Sequence, residues 1–185
     1  MTPTTTQTPD RQILRELIAT AANRAAFAIH AALHETRPDI VAAAHTHSTY
    51  GKAWSALGRT LDPLSQDACV FYEDHALFDD YTGVVLETDE GFRIGRVLGP
   101  RKAVILKNHG ILTAGPSVAA AAWWYIALVY VCLTLLVAEA AGTPQPIRPE
   151  IAKLTHSQIG GPGGANFAFK ALFDILVRQQ PEVLQ

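Results

Sequence analysis

Cysteine is scarce in this chain: two among 185 residues, Cys69 and Cys132, with no CxxC spacing. They read as reduced core thiols of a cytoplasmic protein, not as a disulfide or a cysteine-built metal site. Charge is also sparse, at 17%, and nearly balanced, with 15 Lys and Arg against 17 Asp and Glu. The basic residues form no cluster, so binding to nucleic acid through a basic patch is not expected. Internal repeats are absent. The opening "MTPTTTQTPDRQ" lacks the basic stretch and apolar run of a secretory signal. Residues 1–9 read as a flexible arm, which leaves 10–185 as a single domain. Apolar residues are abundant, at 49%, and a chain of this length can bury a real core.

One apolar run stands out. Val118 to Ala138, "VAAAAWWYIALVYVCLTLLVA", carries no charge and is long enough to span a bilayer. Basic flanks are missing, however, since the nearest cations are Lys107 and Arg148. A helix apolar on all sides equally suits a central core or a subunit interface. The buried helix is the stronger reading and the membrane span the lesser one.

The rest of the chain alternates between strand and helix signals. Asp10 suits the N-cap of a first helix with Ile13, Leu14, Leu17 and Ile18 on its apolar face. A second apolar series (Phe27, Ile29, Ala32, Leu33) ends near Pro38, either continuous with the first or broken around Ala22–Asn23. "DIVAAAHTH" reads as a buried strand, and "STYGKAWSAL" as a helix closed by Gly58. Short extended pieces are expected around Cys69–Phe71 and His75–Phe78. "TDEGFRIGRVLG" predicts a helix capped by Thr88, with Glu87 and Glu90 near its start. "KAVILK" and "ILTAG" predict strands joined by the turn "NHG". Pro116 is expected in the first turn of the long apolar helix. Two helices follow, near 150–159 and 167–179, with "GGPGGAN" as a connector; it lacks the Gly-Lys-Ser/Thr ending of a phosphate loop. This alternation predicts an α/β layered domain.

Three histidines carry the chemistry. On a strand, His45 and His47 project to one face, their Cα atoms roughly 7 Å apart. Two imidazoles so placed can converge on one cation, and a catalytic metal site usually takes a third protein ligand. His109 closes a second buried strand 62 residues after His47. If the two strands are neighbours, all three meet at the strand ends, where α/β proteins commonly bind ligands. Ordinary solvated or hydrogen-bonded histidines remain the plainer alternative.

The "HTHS" strand, the later "NHG" turn and the segments "AAFAIHAALHETRPD", "QDACVFYEDHALFDDYTGVVL" and "KAVILKNHGILTAG" resemble the class II aldolase/adducin domain family. That resemblance implies a three-layer α/β/α sandwich, here without the family's N-terminal strands. It implies a homo-oligomer, usually a tetramer with sites between subunits, and His45, His47 and His109 as ligands of a divalent metal. It also exposes departures. Ala26 falls where the sugar-phosphate aldolases place a glutamate acid/base, the phosphate-holding serines fall near Arg24–Ala25, and Gln66 falls where a catalytic tyrosine is expected. A standard phosphosugar aldol reaction is therefore not expected.

A three-histidine site with an open position can polarise a carbonyl or stabilise an enolate. The leading expectation is a metal-dependent, lyase-like enzyme acting on a carbonyl or 2-oxo acid small molecule by C–C cleavage, decarboxylation or isomerisation. Neutral imidazoles suit Zn(II) and Fe(II) alike, so a non-haem Fe(II) oxygenase, of the kind the family includes, is the alternative. A non-catalytic adducin-like assembly domain is the third reading. "FYEDH" supplies candidate acid/base groups, Glu73 and His75 foremost and Asp74 beside them, against the plainer reading of a solvated loop. Tyr72 and Tyr81 are lesser proton donors. His30 is a candidate partner behind the metal ligands. Trp54, Phe71 and Tyr72 suit either a greasy substrate or a core.

Overall fold

The computed structural model of the protein describes residues 21–83 and 88–184. The expected N-terminal arm, the Asp10-capped helix, Glu87 and the side chain of the expected cap Thr88 lie outside the described residues and side chains.

The first described helix, α1, covers Ala21–Thr36 and runs through Ala22–Asn23 without a break. It ends where the Thr36 hydroxyl donates back to the carbonyls of Ala32 and Leu33, at 2.9 and 3.1 Å, just before Pro38. Strand β1 (Ala42–Thr46) and helix α2 (Thr49–Ser55) follow, and Gly58, in the left-handed region at φ 61°, turns the chain away. A 3-10 helix at Asp67–Phe71 leads to β2 (His75–Phe78). Helix α3 (Thr88–Leu98) carries Asp89 and Glu90 in its first turn and Arg96 in its last, matching its dipole. Strands β3 (Ala103–Leu106) and β4 (Gly110–Gly115) form a hairpin. Helices α4 (Val118–Ala141), α5 (Pro149–Ile159) and α6 (Pro162–Gln179) complete the chain.

The four strands form one sheet in the order β1-β4-β3-β2. β4 is antiparallel to both β1 and β3, whereas β2 is parallel to β3. Alternation along β3 and β4 sends Ala103, Ile105 and Ile111 to one face, and Val104, Leu106, Leu112 and Ala114 to the other. On the first face these residues pack with Trp54, Phe71, Trp124 and Leu128, from α2, the 3-10 helix and α4. On the second they pack with Ala28, Ile29, Leu33, Ile94 and Leu98, from α1 and α3. The result is the expected three-layer α/β/α sandwich. Phe27, counted with the apolar face of α1, instead points outward at 54% exposure.

Helices α1 and α3 cross closely because Gly91 has no side chain: a Cβ there would lie 2.3 Å from the Ala28 carbonyl oxygen. Helix α4 buries Ala121, Trp124, Leu128, Val131, Cys132 and Leu135 in the core. Their spacing of three and four marks one face of a helix, while Tyr130 and Val137 on other faces are exposed. By length and composition this helix can cross a membrane; in this fold it forms the core layer beneath the sheet. Cys69 and Cys132 are both buried and unbonded, and burial pushes the Cys132 thiol up to about 12.

Three local expectations are corrected. Cys69–Phe71 is a 3-10 turn, not extended: its backbone bonds close locally, with the Cys69 N–H donating to the Gln66 carbonyl at 3.1 Å and the Tyr72 N–H to the Cys69 carbonyl at 3.2 Å, and among the described residues no strand is paired there. Pro116 precedes the N-cap of α4 instead of starting its first turn. Ser117 is the cap, its hydroxyl accepting from the Ala120 N–H at 3.0 Å. "GGPGGAN" is not simply a connector, since α6 starts inside it with Pro162 in its first turn, and Ala165 is buried in the core.

Candidate metal centre

The carboxyl ends of β1, β2 and β3 emerge on the same edge of the sheet, because these three strands share a direction and β4 opposes them. His45 pairs with Leu112, so His45 and His47 sit at the exit of β1. Leu106 ends β3, and the next three residues turn the chain into β4. This turn is closed by the His109 N–H donating to the Leu106 carbonyl at 2.9 Å. Asn108 takes its third position in the left-handed region, at φ 58°, which asparagine tolerates better than most residues. The "NHG" turn thus delivers His109 to the exit of β1, one strand away.

The three imidazoles converge. Their candidate ligand nitrogens all lie within 4.8 Å of one another, and the rings meet edge to face with centroids 4.8 to 5.3 Å apart. His47 Nε2 and His109 Nε2 are 3.0 Å apart. Two imidazole nitrogens at that distance share either a proton or a cation. His45 Nδ1 is 2.9 Å from the Ile111 carbonyl oxygen. As the donor to that oxygen it fixes the tautomer and leaves Nε2 with a free lone pair, the usual arrangement behind a metal-bound histidine. Burial, then the neighbouring His45 and His47, push His109 down to about 4. Burial also lowers His45, against the opposing pull of the Ile111 carbonyl. Both are therefore neutral donors near pH 7. Three imidazoles in this geometry fit a divalent ion, Zn(II) or Fe(II) among them.

The support beneath the site is close-packed. A Cβ on Gly51 would fall 2.6 Å from Ser48 Oγ and 2.8 Å from Ile111 Cγ1. Only glycine lets α2 start directly over the β4 residue whose carbonyl holds His45.

Of the "FYEDH" candidates, none is brought to the histidines. β2 starts at His75, paired with Ala103, and reaches the histidine edge only at Phe78, paired with Leu106. His75 is therefore roughly 10 Å short of that edge along the strand. Both of its nitrogens are already used: Nδ1 donates to the Phe71 carbonyl at 2.6 Å, and Nε2 accepts the Leu61 N–H at 2.8 Å. Glu73 is exposed at the far edge, in the left-handed region at φ 55°. Asp74 pairs there with the buried Lys102 ammonium at 2.9 Å and with His156 at 3.2 Å. A cavity of about 360 Å³ opens beside that cluster and includes none of the three histidines. Tyr72, at the end of the 3-10 helix, also belongs to the far edge. Trp54 and Phe71 are fully buried core.

Tyr81 is placed otherwise. Carried past the exit of β2, its exposed ring lies 6.5 Å from that of His109. His30 is half-buried on α1 and contributes to lowering His45. Ala26 and Gln66 are both exposed. Tyr125 was not legible as a site residue: its phenol reaches the Thr46–Ser48 segment from α4. The one available signal was a pair of hydroxyl-bearing rings, Tyr125 and Tyr130, in a helix otherwise read as apolar, and nothing in the sequence sets Tyr125 apart from Tyr130.

This fold is that of a known family. The model of the Class II Aldolase and Adducin N-terminal domain matches residues 7–136, and the chain belongs to that family. It is 53% identical over 138 residues to the 4-hydroxy-3-prenylphenylpyruvate oxygenase/4-hydroxy-3-prenylbenzoate synthase of Streptomyces roseochromogenus subsp. oscitans, covering 75% of this chain and 50% of that protein. It is 52% identical over 138 residues to the Decarboxylase NovR of Streptomyces niveus, covering 75% of this chain and 51% of that one. The chain thus spans about half the length of these relatives. Among solved structures, the L-fuculose 1-phosphate aldolase from Glaciozyma antarctica PI12 superposes with a TM-score of 0.77 at 39% identity, covering 85% of this chain and 60% of that one.

Proposed function

We propose that the protein is a divalent-metal-dependent, lyase-like enzyme acting on a small carbonyl compound or 2-oxo acid, which breaks the C–C bond one carbon away from the carbonyl, by loss of a β-carboxylate or by retro-aldol cleavage, so that the electron pair of the broken bond passes into an enolate. The observation that carries this reading is the convergence of His45, His47 and His109 at the strand exits, with His45 held by the Ile111 carbonyl. The similarity to a decarboxylase and to an enzyme named for a phenylpyruvate substrate supports the substrate class. A divalent ion held by His45, His47 and His109 would supply a Lewis acid to polarise the substrate carbonyl. The chain contributes the three imidazoles, and the exposed Tyr81 phenol near His109 hands over the proton. Ala26 and Gln66 carry no acid/base group, so a phosphosugar aldol reaction is not part of the proposal.

The second reading is a non-haem Fe(II) oxygenase. It is favoured by the all-imidazole donor set and by the oxygenase name of one relative. The assembly-domain reading has less support, since both of these relatives carry enzyme names. A cytoplasmic homo-oligomer remains part of the proposal.

One experiment separates the readings. Anaerobically purified protein, loaded with Zn(II) or Fe(II), is given in separate assays a 2-oxo acid carrying a second carboxylate β to its carbonyl, for the lyase, and an aryl-substituted pyruvate, for the oxygenase, while carbon dioxide and oxygen are followed. Release of carbon dioxide without oxygen supports the lyase. Release that requires iron and consumes oxygen supports the oxygenase. Neither gas changing under any metal removes both.

A further inference from the structure

We propose that Tyr125, on the core helix α4, is a positioning residue that locks the peptide between the two strand histidines and thereby sets metal affinity. This rests on the reading of His45, His47 and His109 as ligands.

The hydroxyl of Tyr125 is 2.9 Å from the Thr46 carbonyl oxygen, 2.6 Å from the Thr46 hydroxyl and 3.2 Å from the Ser48 hydroxyl. A phenol has one proton to give and two lone pairs to accept with. Its one proton is directed between the Thr46 carbonyl, at the shorter distance, and the Ser48 hydroxyl oxygen, and it accepts from the Thr46 hydroxyl. The three contacts fall on the residues immediately before and after His47. The Thr46 carbonyl belongs to the peptide bond that joins Thr46 to His47, so holding that oxygen orients the peptide from which the His47 ring projects.

His47 needs such support more than the other two ligands. His45 has the Ile111 carbonyl behind its ring, and His109 is held by its hairpin turn. His47 is exposed, and among the described residues its ring is hydrogen-bonded only to His109. Tyr125 is well suited to supply the missing anchor. It is 9% exposed and packed in the same core cluster as Trp54, Ile111, Trp124 and Leu128, so its hydroxyl has little freedom. Partners behind metal ligands typically change affinity by about 10–100-fold.

The test titrates metal-free protein with Zn(II) against a chromophoric chelator and records the visible spectrum of the Co(II) form. Y125F is expected to bind Zn(II) about 10–100-fold more weakly and to shift the Co(II) bands. L128A, in the core beside it, is expected to lower the melting temperature further while leaving affinity and bands unchanged. T46V, which keeps the carbonyl and removes one hydroxyl, is expected to lose less affinity than Y125F. It serves as the probe if Y125F does not fold. Affinity within about twofold of wild type and unchanged bands in Y125F, or in T46V if that variant stands in, overturn the proposal. Equal weakening by L128A also overturns it, because affinity would then follow stability alone. Wild-type protein that fails to bind Zn(II) or Co(II) removes the metal-site reading itself, and this proposal with it.

Discussion

The two edges of the sheet handle buried polar groups in opposite ways. At the exit of β1 and β3, three imidazoles face one another, and each has a nitrogen free of protein carbonyls and carboxylates. At the other edge, His75 spends both nitrogens on backbone groups. Lys102 spends its ammonium on Asp74 and on the carbonyls of Val70 and Gly160, and its charge also sits 4.7 Å over the Trp124 ring. A satisfied buried polar group stabilises a fold. An unsatisfied convergence of donors marks a place where something else binds. Histidine serves both purposes in this chain, and only the partners of each nitrogen tell them apart.

Substitutions at the two edges should separate metal binding from stability. The largest effect is expected from His45→Ala or His109→Ala. Each removes one of three ligands and should weaken metal binding well beyond the roughly 100-fold typical of outer partners, with the fold kept as judged by circular dichroism and melting of the metal-free form. His75→Ala should do the reverse. It leaves the buried Leu61 N–H and Phe71 carbonyl unpaired and opens a cavity, for a loss of about 2–4 kcal/mol in denaturant unfolding, while Zn(II) affinity stays at the wild-type level. If His75→Ala lost the metal instead, the contrast between the edges would collapse.

Gly51→Ala sharpens the comparison, because it strains the metal edge without touching a ligand. The added methyl must displace Ser48 or Ile111, at a cost of about 1–3 kcal/mol. It should also weaken metal binding by disturbing the Ile111 carbonyl behind His45. The smallest effect concerns pH. Burial lowers His75 below its ordinary 6.5, so the folded chain keeps it neutral while the unfolded chain takes up a proton. The unfolded state then binds more protons as pH falls below about 6.5, and stability declines on that side. In metal-free protein, His75→Gln should flatten this decline between pH 6.5 and 5, as read from unfolding midpoints; an unchanged slope would assign it elsewhere.

Much of the histidine edge was legible in the sequence because it rests on short-range rules. A period of two puts His45 and His47 together, and an asparagine-bearing turn after an apolar strand places His109 at a strand exit. The opposite edge was not legible, since the direction of β2 relative to β3 depends on long-range pairing. "FYEDH" lies just ahead of a strand on either arrangement, and only the parallel register of His75 with Ala103 sends Glu73 and His75 away from the histidines. Tyr81, at the other end of the same strand, is brought close by that register. The 3-10 turn at Asp67–Phe71 and the helix starting at Pro162 were missed for a related reason: burial of Phe71 and Ala165 decided local conformation against propensity. Tyr125 was hidden by its setting, because nothing in a charge-free run distinguishes a phenol that packs from one that also anchors a backbone.

The central claim is that His45, His47 and His109 form one metal site. Its most direct measurement is the metal content of anaerobically purified protein, alongside the His45→Ala/His109→Ala double variant. The account predicts close to one equivalent of a divalent transition metal in the wild-type chain and background in the variant. Background in both, or equal metal in both, would contradict it.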